Sequence, residues 1–103
     1  MKIAAVALAV LGLAATGVAS AQQELLQKSG CTACHANDKK LVGPAYQEVA
    51  AKYKGDAGAA TKLAAKVKNG GSGVWGAVPM PPNAQVSDAD IKAMVAYILA
   101  MKK

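Results

Sequence analysis

Three features of the sequence predict an all-α fold of about four short helices. Apolar side chains recur three and four residues apart in several segments, which is the spacing of an amphipathic helix. Glycine, proline or serine stands where these segments begin or end. No run of alternating apolar and polar residues is long enough to indicate a useful β-strand. The length of 103 residues allows one domain.

The first 21 residues predict a secretory signal peptide. A short basic start precedes an almost wholly apolar run over residues 3–18, and Ala-Ser-Ala follows at residues 19–21. Small residues in this pattern are typical of signal-peptide cleavage sites. An uncleaved membrane anchor is the alternative, because the apolar run approaches the length that spans a bilayer. We expect cleavage after Ala21, which leaves residues 22–103 as one exported domain without stable insertion into a membrane.

Glycines and a proline delimit the first two helices predicted for the mature chain. The first covers residues 23–29 and ends at Gly30. The second begins at Gly43 and Pro44, because proline is tolerated in the first turn of a helix, and it ends at Gly55. The apolar residues of the second helix, at helical spacing, are Tyr46, Val49, Ala50 and Tyr53.

The last two predicted helices carry clearer end signals. The third covers residues 59–68 with Gly70 as its C-cap. The side chains expected to be buried on this helix are Ala60, Leu63, Ala64 and Val67. The fourth starts after Ser87, a good N-cap residue, and has Asp88 and Asp90 in its first turn. Its continuous apolar face consists of Ile91, Met94, Val95, Ile98 and Leu99.

Residues 69–86 form a long glycine- and proline-rich segment between these two helices. A segment of this length in so small a domain is either functional or disordered. It contains Trp75 and Met80, and disordered segments tend to lack such large apolar residues. We therefore predict that it is a ligand-binding loop.

The sequence Cys-Thr-Ala-Cys-His at residues 31–35 carries the most specific chemical signal. Cys31 and Cys34 are the only cysteines of the chain, and His35 is its only histidine. The spacing is typical of covalent haem c attachment. Each thiol forms a thioether to a haem vinyl group, and the adjacent imidazole binds the iron. A buried porphyrin would also supply apolar mass to a domain that is otherwise small for a stable core.

Three other interpretations of this motif remain open at this point. A structural zinc site needs four ligands, and the chain offers no second cluster of cysteine or histidine. A thioredoxin-like dithiol expects a strand–helix–strand context, which the sequence around Cys31 lacks. A simple disulfide between the two cysteines would leave His35 without a role.

A second axial ligand for a haem iron has to come from a residue other than histidine. The methionines of the mature chain are Met80, Met94 and Met101. Met94 lies within the apolar face of the last helix, where methionine commonly fills a core, and Met101 lies in the final turn. Met80 has a proline on each side, and prolines restrict the backbone. With the haem motif upstream, Met80 is the predicted ligand rather than a packing residue.

The charge of the chain favours acidic partners. All twelve cationic residues are lysines, against six acidic residues. Loss of Lys2 with the signal peptide would leave eleven lysines and a formal charge of +5. Such a balance favours binding to acidic surfaces. Nucleic acid is not an expected partner, because the chain is exported and has no arginine for bidentate contacts with phosphate or guanine.

Six short motifs spread over the mature chain point to one family. They are Lys28-Ser29-Gly30-Cys31, Cys34-His35, Val42-Gly43-Pro44-Ala45-Tyr46, Lys68-Asn69-Gly70, Gly73-Val74-Trp75-Gly76 and Pro79-Met80-Pro81-Pro82-Asn83. Together they resemble class I cytochromes c, in particular the small soluble bacterial cytochromes of the c-551/c-552 type. The resemblance implies about four short helices wrapped around one covalently attached haem c.

The resemblance also implies a role for individual residues. His35 and Met80 would be the axial ligands of the haem iron, and Cys31 and Cys34 its thioether attachments. The Pro44 carbonyl would accept a hydrogen bond from the His35 ring. In the same family pattern, the indole N–H of Trp75 binds a haem propionate, and Asn83 lies near the Met80 ligand.

The function implied by the resemblance is one-electron transfer in the periplasm, by a monomer that is not an enzyme. The expected partners are other redox proteins, such as a terminal reductase or oxidase or a membrane cytochrome complex. A haem enzyme or gas sensor with an open iron site is a competing hypothesis, as is a dithiol redox protein that uses Cys31 and Cys34. The family resemblance makes both of them minor.

Overall fold

The structure is a computed structural model that describes residues 10–102. The basic start and first apolar residues of the predicted signal peptide, residues 1–9, lie outside the described residues, as does Lys103. Helix α1, Val10–Lys28, continues through the expected cleavage position after Ala21, so the boundary of the mature chain stays a prediction. Among the helices of residues 10–102, none combines the length and hydropathy needed to cross a membrane.

Four helices make up most of the described chain, as predicted from the sequence. Helix α1 includes the helix predicted over residues 23–29. The helices that follow it are α2 (Tyr46–Lys52), α3 (Ala59–Asn69) and α4 (Asp88–Leu99). Local chemistry sets several of these ends. The Ser87 hydroxyl caps α4 by accepting a hydrogen bond from the Asp90 N–H at 3.1 Å. Gly70 is the C-cap of α3, as expected.

The beginning of α2 differs from the prediction. Its N-cap is Ala45, which has extended backbone angles, so Pro44 precedes the helix instead of standing in its first turn. The N-cap carbonyl accepts the first hydrogen bond of the helix, whereas the carbonyl of the residue before the N-cap is not used in the helical ladder. The Pro44 carbonyl is therefore available to another part of the chain.

A short β-hairpin, which the sequence did not predict, lies between α3 and α4. Strand β1, Gly71–Gly73, pairs antiparallel with β2, Gly76–Met80, with Gly71 opposite Met80 and Gly73 opposite Gly76. Glycine occupies three of the eight strand positions, and nearly all eight residues are exposed. The hairpin therefore has no buried apolar face, and the alternating pattern that identifies a strand is missing.

Helix α4 is the centre of the core, because α1, α2 and α3 all pack against it. The buried cluster consists of Leu26, Tyr46, Val86, Ile91, Met94 and Val95. Met94 is a core residue, as predicted. The prediction for α3 was wrong at one position, because Ala59 is buried and Ala60 is exposed. Lys62 of α3 also donates a hydrogen bond to Asp56, at 2.9 Å, which lowers the pKa of that partly exposed carboxyl.

Candidate functional site

The Cys-Thr-Ala-Cys-His motif follows α1 as one tight turn. Gly30 ends the helix, and Cys31–Ala33 form a short 3-10 helix. The backbone N–H groups of Cys34 and His35 both donate to the carbonyl of Cys31, at 3.2 and 3.0 Å. The two cysteines are partly buried, and they do not form a disulfide with each other. The turn thus holds two thiols and one imidazole within a single small segment.

The His35 ring is oriented by the segment that follows it. The Gly43 N–H donates to the Cys34 carbonyl at 2.8 Å, which brings the chain back against the motif. The His35 Nδ1 lies 2.7 Å from the Pro44 carbonyl oxygen. A carbonyl can only accept, so Nδ1 carries the proton and Nε2 of the neutral ring keeps its lone pair. A hydrogen bond of this kind commonly orients a histidine that binds a metal through its other nitrogen.

Two neighbours hold the plane of this ring. The Tyr46 ring stacks on it, with the ring centroids 5.2 Å apart and the planes inclined by 22°. Gly43 approaches it so closely that a Cβ atom there would lie 2.9 Å from Nδ1 and 3.0 Å from Nε2. Only glycine fits at this position without displacing the imidazole. Gly43 was predicted from the sequence as the start of a helix, and no pattern in the sequence indicates this contact.

A cavity of about 430 Å³ opens beside the motif. Five predicted site residues line it, namely Cys34, His35, Pro44, Trp75 and Met80. The rest of its wall is largely apolar and comes from α2, the hairpin and α4, including Tyr46, Val49, Val78, Val95 and Ile98. The fold therefore brings together residues that are separated by more than forty positions in the chain.

Cys31 and Asn83 are the two predicted site residues that do not line this cavity. Cys31 instead packs against the core cluster. Its burial, together with the nearby Cys34, raises the pKa of the Cys31 thiol above its usual value. Redox-active dithiols depend on a lowered thiol pKa, so this environment does not favour the dithiol interpretation.

Asn83 anchors the segment that carries Met80 to the end of α3. Its backbone N–H donates to the carbonyls of Val67 and Lys68, at 3.1 and 3.2 Å. Its side-chain amide donates to Val67 at 3.1 Å and to the Pro81 carbonyl at 3.3 Å. These carbonyls at the end of α3 lack partners within the helix, so Asn83 satisfies them while holding the loop.

Gly70 permits the same close packing from the other side. Its φ of 75° disfavours other residues, and a Cβ atom there would lie 2.8 Å from the Pro82 nitrogen. The chain just beyond Met80 therefore runs directly against the C-terminal end of α3. The expected position of Asn83 near the Met80 ligand stays a prediction, and the contact seen closest to Met80 in the chain is the one from the Asn83 amide to the Pro81 carbonyl.

Trp75 lies at the turn of the hairpin and is 42% exposed. The Lys52 ammonium lies 5.6 Å from the centre of its ring, within the range of a cation–π interaction. Exposed apolar side chains near this mouth of the cavity include Val42, Val74 and Val78. These valines were not predicted as site residues, because exposure at a cavity mouth leaves no periodic pattern in the sequence.

The residues present fit a haem. The cavity is largely apolar, as a porphyrin requires, and it offers an imidazole nitrogen and a thioether sulfur together with a thiol for attachment. A zinc site fits less well, because residues 10–102 contain no group of three potential metal-binding His, Cys, Asp or Glu side chains. One polar atom also lacks a partner here, since the buried Tyr46 hydroxyl makes no hydrogen bond among the described residues.

Comparison with known proteins gives consistent matches. The profile of the family described as cytochrome c matches residues 19–102. Cytochrome c-551 from Allochromatium vinosum is 62% identical over 77 residues, which cover 75% of this chain and 82% of that protein. Cytochrome c-552 from Nitrosomonas europaea is 51% identical over 94 residues, 91% of each chain. The crystal structure of wild-type Nitrosomonas europaea cytochrome c552 superposes with a TM-score of 0.76 at 54% identity, covering 78% of this chain and 99% of that one.

Replacement of Gly43 by alanine tests the close contact with His35. The added methyl group has to displace a ring that is held by a hydrogen bond and a stacking contact, and overpacking of this kind costs about 1–3 kcal/mol. Urea denaturation of the haem-attached protein should show that loss of unfolding free energy. The absorption spectrum should change as well, because the imidazole is moved.

The matched control is Gly58→Ala. A Cβ atom at Gly58 would meet Asp56 and Lys62 at 3.5 Å, which is ordinary van der Waals contact. This variant should change the unfolding free energy by no more than about 1 kcal/mol. Equal behaviour of the two alanine variants would contradict the proposed crowding at His35.

Proposed function

This chain belongs to the class I cytochrome c family of small bacterial cytochromes c-551 and c-552, and we propose that His35 and Met80 hold its haem iron during electron transfer between respiratory redox proteins. It is an electron-transfer protein and not an enzyme, and its cofactor is one covalently attached haem c. When bound, the haem supplies a one-electron Fe(II)/Fe(III) couple. The observation that carries the proposal is that His35 and Met80 line one apolar cavity.

Cys31 and Cys34 are proposed to attach the haem. Each thiol would add its S–H bond across a vinyl group, so that sulfur bonds to carbon and the hydrogen goes to the neighbouring carbon without any oxidant. The tight turn over residues 31–35 supports this, because it presents both sulfurs and the imidazole from one rigid segment. Attachment at two points also fixes the haem against His35.

His35 is proposed to bind the iron through Nε2. The Nδ1–H group is engaged with the Pro44 carbonyl, which leaves Nε2 as the free electron pair. Pro44 therefore orients the ligand and increases the electron density of the ring, as contacts of this type do in metal sites. Stacking by Tyr46 adds resistance to rotation of the imidazole.

Met80 is proposed as the second axial ligand. Its sulfur belongs to a segment that is anchored to α3 through Asn83 and packed against Gly70. Met94 is buried in the core, and Met101 packs against the same core cluster, so neither competes for the cavity. A thioether ligand in an apolar cavity favours Fe(II), and His/Met ligation accordingly gives a high reduction potential.

Trp75 and Asn83 are proposed to support the haem and its ligand. The indole N–H of Trp75 is the donor proposed for a haem propionate, and its position at the cavity mouth supports this role. Lys52 lies over the same ring and adds positive charge near that position. Asn83 is proposed to keep Met80 in place through its four hydrogen bonds to Val67, Lys68 and Pro81.

The proposed location is the periplasm, after cleavage behind Ala21, with the protein acting as a monomer. Its proposed partners are redox proteins with acidic docking surfaces, such as a terminal reductase or oxidase or a membrane cytochrome complex. Lysines close to the haem motif support this. Lys28, Lys39 and Lys40 are all exposed, and Lys40 also lines the cavity. Positive charge at the cavity mouth would steer an acidic partner towards the haem edge.

Intact mass spectrometry of the exported protein tests attachment and processing together. The expected mass is that of residues 22–103 plus one haem, and thiol titration should find no free cysteine. A mature protein with two titratable thiols and no haem would contradict the proposed roles of Cys31 and Cys34. A haem-containing protein with a different N-terminus would contradict only the cleavage after Ala21.

Met80→Ala should remove the weak sulfur-to-iron charge-transfer band of the oxidised protein while the haem stays covalently attached. The reduction potential should fall, because a soft ligand that favours Fe(II) is lost. The control is Met94→Leu, which conserves volume in the core and should cost less than about 1.5 kcal/mol with no change in the band. Survival of the band in the Met80 variant, with its loss in a Met94 or Met101 variant, would disprove the ligand assignment.

Neutralising Lys39 and Lys40 together, as Lys39→Gln and Lys40→Gln, tests docking. Electron transfer to an acidic partner should be slower at low ionic strength and should depend less on salt, because exposed charges are screened beyond about 8–10 Å at ordinary salt. Stopped-flow rates over a series of ionic strengths provide the measurement. Lys92→Gln on α4, which is exposed and does not line the cavity, is the control. An unchanged salt dependence in the double variant would argue against this docking surface.

A further inference from the structure

The Tyr46 hydroxyl is a polar group in an apolar core, and the described residues around it offer it no hydrogen-bond partner. Tyr46 is 3% exposed, and its oxygen is the buried side-chain polar atom left without a hydrogen-bond partner among the described residues. A buried hydroxyl without a partner costs free energy. Phenylalanine would supply the same ring for stacking on His35 without that cost. The presence of tyrosine indicates that the hydroxyl has a partner in the haem-loaded protein.

Tyr46 is placed directly against the haem attachment motif. Its backbone N–H donates to the Ala36 carbonyl at 2.9 Å, and its ring stacks on His35. Cys31 packs against the core cluster that contains Tyr46, and Cys34 lines the same cavity as Tyr46. The thioether sulfurs proposed for these two cysteines are the candidate acceptors, and Cys31 is the one that packs against the core in which Tyr46 is buried.

We propose that the Tyr46 hydroxyl donates a hydrogen bond to the thioether sulfur that Cys31 forms with the haem. This inference rests on the proposed haem attachment at Cys31. The chemistry of the two groups is complementary. The sulfur of a thioether carries no hydrogen and can only accept, while the phenol has an O–H group to donate. The hydroxyl has no partner among the described residues while Cys31 is a free thiol, so the proposed hydrogen bond forms only when the sulfur is held by the haem.

The consequence is that Tyr46 acts as a positioning residue for both ends of the attachment motif. Its ring restrains the plane of His35, and its hydroxyl restrains the rotation about the bonds of the Cys31 thioether. A haem propionate is the other acceptor that the hydroxyl could meet, but the residue proposed to bind a propionate is Trp75. The sulfur at Cys31 is the acceptor expected from the packing.

Resonance Raman spectroscopy of the haem-attached protein can detect this hydrogen bond. The protein is unfolded and refolded in H₂O or in D₂O, so that the buried hydroxyl exchanges. In the wild type, the carbon–sulfur stretching band of the thioether should differ between the two solvents. In Tyr46→Phe the solvent difference should be lost, and the band should move from its wild-type position. The urea midpoint of this variant should also fall.

Tyr97→Phe is the matched control. The Tyr97 hydroxyl donates to the Gln23 side chain at 2.8 Å, and Tyr97 does not line the cavity. Loss of that hydrogen bond should lower the urea midpoint while leaving the carbon–sulfur band and its solvent difference unchanged. The band therefore separates a contact with the thioether from a general loss of stability.

Three outcomes would overturn the inference. The first is a wild-type band that is the same in both solvents. The second is a Tyr46→Phe variant whose midpoint is unchanged or higher, since a hydroxyl without a partner is removed at no cost. The third is a Tyr46→Phe variant whose carbon–sulfur band is unchanged while the pH dependence of its reduction potential differs from that of the wild type. That result would indicate that the hydroxyl binds a propionate. Failure of haem attachment itself would appear earlier, as a protein without a haem spectrum.

Discussion

The hydrogen bond from His35 Nδ1 to the Pro44 carbonyl is the contact on which the arrangement of the site depends. It joins the attachment motif to the residues that precede α2, across the turn over residues 36–43. Because Pro44 lies before the helix, its carbonyl is not part of the helical ladder and can accept from the ring. The same bond fixes which nitrogen carries the proton. The residue before α2 thereby determines which nitrogen of His35 is available for the proposed bond to iron.

The opposite side of the cavity depends on how α3 and α4 are joined. Asn83 connects the Met80 segment to the last carbonyls of α3, and Lys68 donates to the Val86 carbonyl at 2.8 Å and pairs with Asp88 at 3.1 Å. The exposed ion pair contributes little by itself, whereas hydrogen bonds to partly buried carbonyls satisfy groups that water cannot easily reach. The result is a proline-rich segment whose two ends are both fixed to helices.

The two sides meet because α4 packs against all three other helices. Its buried residues include Ile91, Met94 and Val95, and Val95 also lines the cavity. The core of so small a domain and the wall of the proposed haem cavity are therefore partly the same side chains. A bound haem would extend the core, which is how a short chain with few aromatic residues can reach sufficient stability.

The sequence by itself determined the helical class, the attachment motif and the two helices with strong caps, because Ser87 and Gly70 act through bonds within a few residues of themselves. The spacing of the cysteine motif also singled out His35, and the flanking prolines singled out Met80, as the proposed iron ligands. Only the tertiary structure decided that Tyr46 stacks on His35 and that a glycine-rich hairpin forms one wall. Glycine has no side chain to show a pattern, and a contact between two apolar faces depends on how helices pack. The spacing of residues along the chain therefore indicates neither the hairpin nor the stacking contact.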